Sequence, residues 1–161
     1  MFRYEGSAIQ QRRLAIGEDH CTSTGVAYDL DELVEDGFLV EPGKSSVRLT
    51  VGRSVGKGNR VLIYAVNETY QMRVGFDSAR GRPNAVKHET LHRNADVRAA
   101  GELEVDRGTI IEVGDVSGSY GTSGRIQTDP EFVKAVLTAI DRAGAQIRKS
   151  ERSRLTRRAG E

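Results

Sequence analysis

The pattern of hydrophobic and polar positions predicts short strands over most of the chain. In SVRLTVGRS, Val47, Leu49 and Val51 alternate with polar or small residues, which is typical of a strand with one buried face. The stretch RVLIYAVN (60–67) is continuously apolar and predicts a central strand, and TYQMRVGFD (69–77) returns to alternation. Together the three segments predict an antiparallel meander.

A hairpin is predicted next along the chain. VRAAGELEV (97–105) and TIIEVGDVS (109–117) flank the turn DRG, whose Gly108 can adopt a positive φ. The three small residues AAG in the first strand leave room for another backbone or side chain to approach closely.

One short helix is predicted in the N-terminal part. YDLDELVEDG (28–37) has an acidic start and spaced leucines, which favour two helical turns ending at Gly37. A brief strand at 38–40 is expected to follow.

The C-terminal part carries the clearest helical signal. Thr128 and Glu131 form a capping box, Pro130 lies in the first turn, and apolar residues then recur at helical spacing until Gly144. An amphipathic helix is therefore predicted over 130–143.

These elements predict a single α+β domain over residues 1–147. Its mainly antiparallel twisted sheet is a meander plus a hairpin, with the short N-terminal helix and with the amphipathic C-terminal helix packed on one face. Hydrophobic content falls sharply after Ile147, so residues 148–161 are predicted to form a basic, flexible tail or a frayed helical extension.

Composition is consistent with this architecture. The 161 residues include 18 Gly and 3 Pro and are 37% hydrophobic, which favours short strands and tight turns over a helical bundle. Cys21 is the only cysteine, which excludes an intramolecular disulfide. No membrane span or secretory signal is evident, so we expect a protein without membrane association, cytoplasmic or exported without a cleaved signal peptide.

Charge is concentrated at the C-terminus. The net charge of the chain is +1, but residues 148–161 carry +4 and the remainder carries −3. A nucleic-acid partner contacting the Arg148–Arg158 stretch is one expectation, since such cations neutralise phosphates. A solvated tail and a signal recognised by another protein are the alternatives.

Two histidines are the most evident chemical groups. His88 and His92 are four residues apart, as metal ligands on a helix can be, but no HExxH motif and no nearby cysteine accompany them, so no metal is predicted. Lys87 and His88, with Ser117 and Tyr120 at a strand end, instead predict a metal-free polar site for acid–base chemistry, in which the ammonium lowers the pKa of the imidazole. The alternative is that these side chains form hydrogen bonds with backbone groups of the loop and have no chemical role.

The stretch 87–123 resembles a domain with the pattern [KH]-H-S-S-[FL], V-x-A-A-G-E-[LI], G-x-[IL] and S-G-H-Y. This domain occurs in bacterial polymorphic-toxin and effector-like proteins and in plant IQ-motif calmodulin-binding proteins. The resemblance covers about residues 61–147. The matching residues are Lys87, His88, Thr90, Leu91, Val97, Ala99, Ala100, Gly101, Glu102, Leu103, Gly108, Ile110, Ser117, Gly118 and Tyr120.

The chain departs from this pattern at two positions, and it also lacks the proline that usually follows SGHY. Glu89 stands where the domain has its first serine, and Ser119 stands where it has the histidine of SGHY. The resemblance implies an effector- or toxin-like context of bacterial or phage origin and a site position, while it implies no particular reaction or cofactor.

The first hypothesis is an effector- or toxin-like domain with a cleft that binds a protein partner or a small polar ligand. Catalysis in this cleft is the further expectation. ADP-ribosyl transfer and metal-free RNA cleavage are the reactions to test, and whether the protein is an enzyme stays open. The second hypothesis is a non-enzymatic binding module in which His88 and Tyr120 bond to each other or to backbone. The candidate catalytic residues are Lys87, His88, Glu102 and Tyr120, and the candidate ligand-binding residues are Thr90, Ser117, Gly118, Arg80 and Arg82.

Overall fold

A computed structural model describes residues 1–4, 26–52, 60–78 and 87–160. These residues form one turn of 3-10 helix at Leu30–Leu33. The strands are β1 (Tyr28–Asp29), β2 (Val34–Glu35), β3 (Phe38–Glu41), β4 (Lys44–Arg48), β5 (Arg60–Val66), β6 (Met72–Ser78), β7 (Ala99–Asp106) and β8 (Thr109–Val113). The α-helices are α1 (His88–Leu91), α2 (Arg125–Thr128), α3 (Pro130–Ala143) and α4 (Lys149–Arg158).

The main sheet has five antiparallel strands in the order β1-β6-β5-β7-β8. The continuously apolar strand β5 is central, as predicted. One hairpin joins β5 to β6, and a second hairpin joins β7 to β8. The α+β class with a mainly antiparallel sheet is confirmed.

The two faces of β5 contribute to two separate cores. Leu62 and Tyr64 belong to the larger core, which includes Phe132, Val136 and Ile140 of α3. The opposite face of the sheet packs on residues of the 87–123 stretch and on the N-terminus. The members of this second core are Tyr4, Val61, Ile63, Ala65, Leu91, Val97, Ala100 and Tyr120. Burial on both faces explains why β5 shows no polar alternation.

The strand predicted around Val47 is divided, and only its second half contacts the main sheet. Its first half is β4, the outer strand of a three-stranded sheet in the order β2-β3-β4, and every residue of β4 is exposed. Val47 is 45% exposed, so its prediction as a buried residue is wrong. Leu49 and Val51 are buried as predicted, because the chain turns inward and Val51 pairs with Val105 through two backbone hydrogen bonds of 2.7 and 2.8 Å.

The predicted N-terminal helix is shorter than expected. Only Leu30–Leu33 form a helical turn, with both leucines buried, and the chain then becomes strand β2. Gly37 has φ +85° in the turn between β2 and β3, rather than at a helix end. The strand expected at 38–40 is confirmed as β3.

Helix α3 has the predicted bounds but a different N-cap. The side chain of Asp129 accepts hydrogen bonds from the backbone N–H groups of Glu131 and Phe132, whereas Thr128 donates to the Gly124 carbonyl. The predicted capping box is therefore wrong, because the aspartate one residue later reaches the free N–H groups. Gly144 ends the helix with φ +74°, as predicted.

Residues 148–161 are predicted as a flexible tail or a helical extension, and the structure has helix α4 at Lys149–Arg158. Leu155 is fully buried in the larger core, which the low hydrophobic content of the segment concealed. The outer edge of β8 is covered by this part of the chain: Ile110 N–H donates to Gln146, Arg148 N–H donates to Ile110, and Val113 N–H donates to the Glu151 carboxylate. No helix formed by the described residues has the length and apolar character needed to cross a bilayer.

Candidate functional site

His88 begins helix α1 and lies beneath the surface. Its Nε2 is 2.7 Å from the Gly101 carbonyl oxygen on β7, and the residue is buried. Because a carbonyl can only accept, Nε2 carries the hydrogen. Burial lowers the pKa of His88, against smaller opposing effects of the Gly101 carbonyl and Glu89. The predicted direction of this pKa shift agrees, but its cause is burial rather than the ammonium of Lys87.

His92 follows α1 and makes an equivalent bond on the neighbouring strand. Its Nε2 is 2.9 Å from the Ala65 carbonyl oxygen of β5, and burial lowers its pKa as well. The two imidazoles thus connect α1 through hydrogen bonds to the neighbouring strands β7 and β5. Across the residues that the structure describes, no group of three His, Cys, Asp or Glu side chains could hold a metal ion.

Tyr120 also lies in the second core. It is 2% exposed, its hydroxyl donates to the Ala95 carbonyl at 3.0 Å, and its ring meets that of Tyr4 edge-on at 6.3 Å between centroids. The structure therefore places the side chains of His88 and Tyr120 in the interior, not at the lips of an open cleft.

The remaining predicted site residues are scattered between surface and interior. Lys87 and Gly118 are exposed, and Thr90 and Glu102 are half-buried. Ser117 is buried, and its Oγ has no hydrogen-bond partner among the residues that the structure describes. The predicted ligand-binding residues Arg80 and Arg82 lie outside the described residues.

Glu89 and Ser119 contact each other. Ser119 Oγ donates to the Glu89 carboxylate at 2.5 Å, and Glu89 is only 4% exposed. Sequence spacing does not reveal this contact, because only the fold brings together residues thirty positions apart.

The small residues of β7 provide clearance, as predicted. A Cβ atom built on Gly101 would lie 2.0 Å from the Gly114 carbonyl oxygen, because the chain after β8 crosses directly over this glycine. The same oxygen accepts a 2.8 Å hydrogen bond from the buried Tyr64 hydroxyl. Thr122 Oγ1 lies within hydrogen-bond distance of both Ala100 O and Asp115 O, and so links β7 to the crossing segment.

Acid is expected to weaken the fold through His88 and His92. Their folded-state pKa values lie below the ordinary 6.5, so the unfolded chain binds more protons once the pH falls below that value. The free energy of unfolding should therefore decrease as the pH falls from about 7.5 to about 5.5, as measured by urea denaturation. A double variant, His88→Gln with His92→Gln, should show a flatter pH dependence over this interval. Equal wild-type stability at both pH values would contradict the expectation.

The basic C-terminal segment is partly engaged within the fold. Arg148, Arg152 and Arg154 donate to a backbone carbonyl, an aspartate and a glutamate of the same chain, respectively. Arg157 and Arg158 at the end of α4 are exposed. A nucleic-acid contact through the Arg148–Arg158 stretch stays a prediction.

Comparison of the chain with protein-family models, with curated proteins and with solved structures found no match.

Proposed function

We propose that the chain is a non-enzymatic binding module in which the His–Tyr motif is structural. The observation that carries the proposal is the placement of His88 and Tyr120: both are buried, and each has a polar side-chain atom hydrogen-bonded to a backbone carbonyl of the same fold. A general acid or base must instead reach the reacting group of a substrate. The resemblance to effector-like proteins supplies the context in which such a module would act.

The contacts of the motif explain what it does for the fold. His88 ties α1 to β7, His92 ties it to β5, and Tyr120 ties the turn after β8 to Ala95. The second core is small, so its organisation depends on these polar fastenings as well as on apolar burial. These hydrogen bonds hold α1 and the turn after β8 in place, and other surfaces of the fold remain available to bind a partner.

The stability of three variants tests the structural role. His88→Ala removes the hydrogen bond to the Gly101 carbonyl and opens space in the interior, so we expect a loss of about 2–3 kcal/mol in the free energy of unfolding. Tyr120→Phe removes one hydrogen bond and should cost about 1 kcal/mol. Lys87→Ala, at an exposed neighbouring position, is the matched control and should remain within about 0.5 kcal/mol of wild type in urea denaturation.

Incubation with NAD and with RNA tests the absence of catalysis. The purified chain should neither consume NAD nor cleave RNA at a rate above that of a heat-inactivated sample. Turnover of either substrate that is lost in a fully folded Lys87→Ala or Tyr120→Phe variant would overturn the binding-module proposal and favour the predicted catalytic cleft.

A further inference from the structure

A cavity of about 560 Å³ lies away from His88 and Tyr120, at one end of the main sheet. Its walls come from the N-terminus, the turn between β5 and β6, the residue before β7, helix α2 and the first half of α3. This volume is in the range of sites for small organic ligands, which is roughly 300–1,000 Å³. The lining residues used below are Phe2, Tyr70, Arg98, Arg125, Phe132 and Lys134.

Two arginines of the cavity have no carboxylate partner among the described residues. Arg98 donates Nε–H to the Glu68 carbonyl at 2.9 Å, and the Arg125 guanidinium lies over an aromatic ring. The two carboxylates of the cavity are already engaged: Asp129 caps α3, and Glu131 pairs with Lys134 at 3.4 Å. The two guanidinium groups therefore retain N–H donors for an anion.

Aromatic rings hold both guanidinium groups in place. The Arg98 Cζ lies 4.4 Å from the centroid of Tyr70, and the Arg125 Cζ lies 5.2 Å from that of Phe2. Phe2 in turn meets Phe132 edge-on, with 5.8 Å between ring centroids. A guanidinium resting on a ring keeps its edge N–H groups free, and its orientation is set before the ligand arrives.

The turn that carries Tyr70 is itself rigidly organised. Tyr70 has φ +63°, a left-handed conformation that is costly for a bulky residue. It is maintained by Asn67, whose Oδ1 accepts hydrogen bonds from the backbone N–H groups of Thr69 and Gln71 at 3.0 and 2.9 Å. Because Arg98 also bonds to this turn through Glu68, the ring and the cation are positioned as one unit.

We infer that this cavity binds a small organic phosphate that carries a planar ring, of the nucleoside monophosphate class. The inference rests on the proposed binding function and names its ligand. Guanidinium groups recognise phosphate oxygens through paired N–H donors, and a doubly charged phosphate balances two of them. Inorganic phosphate would leave most of the cavity unfilled, whereas a nucleobase can pack against the apolar wall at Phe2.

Isothermal titration of the full chain with the four common nucleoside 5′-monophosphates tests the inference. At least one monophosphate should bind saturably, and its nucleoside and inorganic phosphate should each bind at least about tenfold more weakly. Arg98→Gln and Arg125→Gln should each weaken binding by about tenfold or more, with unchanged thermal melting. Arg157→Gln removes an exposed arginine of α4 and is the matched control, with an expected affinity equal to wild type.

Three results would overturn the inference: no saturable binding of any monophosphate, equally tight binding of inorganic phosphate, or equal weakening by Arg157→Gln and Arg98→Gln. Such a failure leaves the structural role of His88 and Tyr120 untouched, because that role is measured by stability. Conversely, turnover of NAD or RNA would overturn the binding-module proposal even if a monophosphate bound at this cavity.

Discussion

Replacement of Gly101 by alanine is expected to lower the free energy of unfolding far more than replacement of Gly118 by alanine. The new Cβ would lie 2.0 Å from the Gly114 carbonyl oxygen, 2.7 Å from its carbon and 2.9 Å from the Asp115 Cα. All three atoms are backbone, so no side-chain rotation relieves the clash. We expect a loss of at least about 3 kcal/mol in the free energy of unfolding, seen as a decrease of about 6–12 °C in Tm.

The displaced backbone explains why the loss should be large. Moving residues 114–115 separates the Tyr64 hydroxyl from its acceptor and shifts Asp115, whose carboxylate accepts the Ile126 N–H of α2. Tyr64→Phe removes only the first of these contacts and should cost about 1–2 kcal/mol. Comparison of the two variants separates the lost hydrogen bond from the displaced chain.

Gly118→Ala is the matched control for Gly101→Ala. Gly118 lies in the same stretch 87–123 and is exposed, and no atom of the described residues beyond its chain neighbours lies within 4 Å of a built Cβ. This variant should stay within about 0.5 kcal/mol of wild type. Equal stability of the two alanine variants would show that the crossing of residues 114–115 over β7 is not as described.

Loss of the Glu151 carboxylate is the second change with a large expected effect. Glu151 is 5% exposed and accepts hydrogen bonds from Val113 N–H at 2.7 Å and from the Arg154 guanidinium at 2.6 Å. Glu151→Ala leaves a buried N–H without its acceptor and a half-buried arginine without its counterion. Since Arg154 is partly solvated, we expect a loss of about 2–3 kcal/mol rather than the larger cost of a fully buried broken pair, measured by urea denaturation.

An exposed ion pair between α3 and α4 provides the control. Arg152 and Asp141 pair at 2.6 Å, but their side chains are 41% and 56% exposed. Asp141→Ala should therefore cost less than about 1 kcal/mol. If Glu151→Ala and Asp141→Ala destabilised equally, the carboxylate of Glu151 would have no special part in holding α4 to β8.

The pH dependence of the Glu151 contribution has a definite sign. Burial raises the pKa of Glu151, but the hydrogen bonds from Arg154 and Val113 N–H outweigh it and hold the pKa below the ordinary 4.5. The stabilisation is therefore present above pH 4.5 and is lost as the pH falls below that value. Glu151→Ala should remove this acid-sensitive component while leaving the histidine component at higher pH.

Much of the main sheet could be predicted from sequence because its signals are local. The apolar run of β5, the turn at Gly108 and the helical spacing of 130–143 each determine structure through nearest neighbours and burial. Glycine at 101 was also correctly associated with a close approach of another chain segment. Local patterns of this kind do not depend on knowing which distant residues meet.

The predictions from sequence fail where contacts between residues distant in the chain determine the structure. Val47 alternates as a buried residue would, yet β4 lies at the outer edge of a second sheet. Helix α4 has few apolar residues, but Leu155 reaches the core and Glu151 meets β8. In both cases tertiary contacts override the local preference.

For the candidate site, sequence identified the residue types but not their partners. His88 and Tyr120 were recognised as a related pair, whereas their acceptors, the carbonyls of Gly101 and Ala95, carry no sequence signal because every residue has one. The cavity at Arg98 was missed for a similar reason, since it joins residues from four distant parts of the chain. Only the fold brings these groups together.

The covering of β8 by the C-terminal segment has a consequence for solubility. Strand TIIEV (109–113) is rich in β-branched residues, and an uncovered strand of this kind recruits strands from other molecules. The backbone of Gln146 and Arg148 pairs with Ile110, and the side chains of Arg148, Glu151 and Arg154 bond to the backbone of Ile111 and Val113, so these groups of the edge are not open to another strand. The C-terminal segment thus covers an edge that would otherwise be open to strands of other molecules, and we expect a variant that lacks α4 to aggregate more readily than wild type.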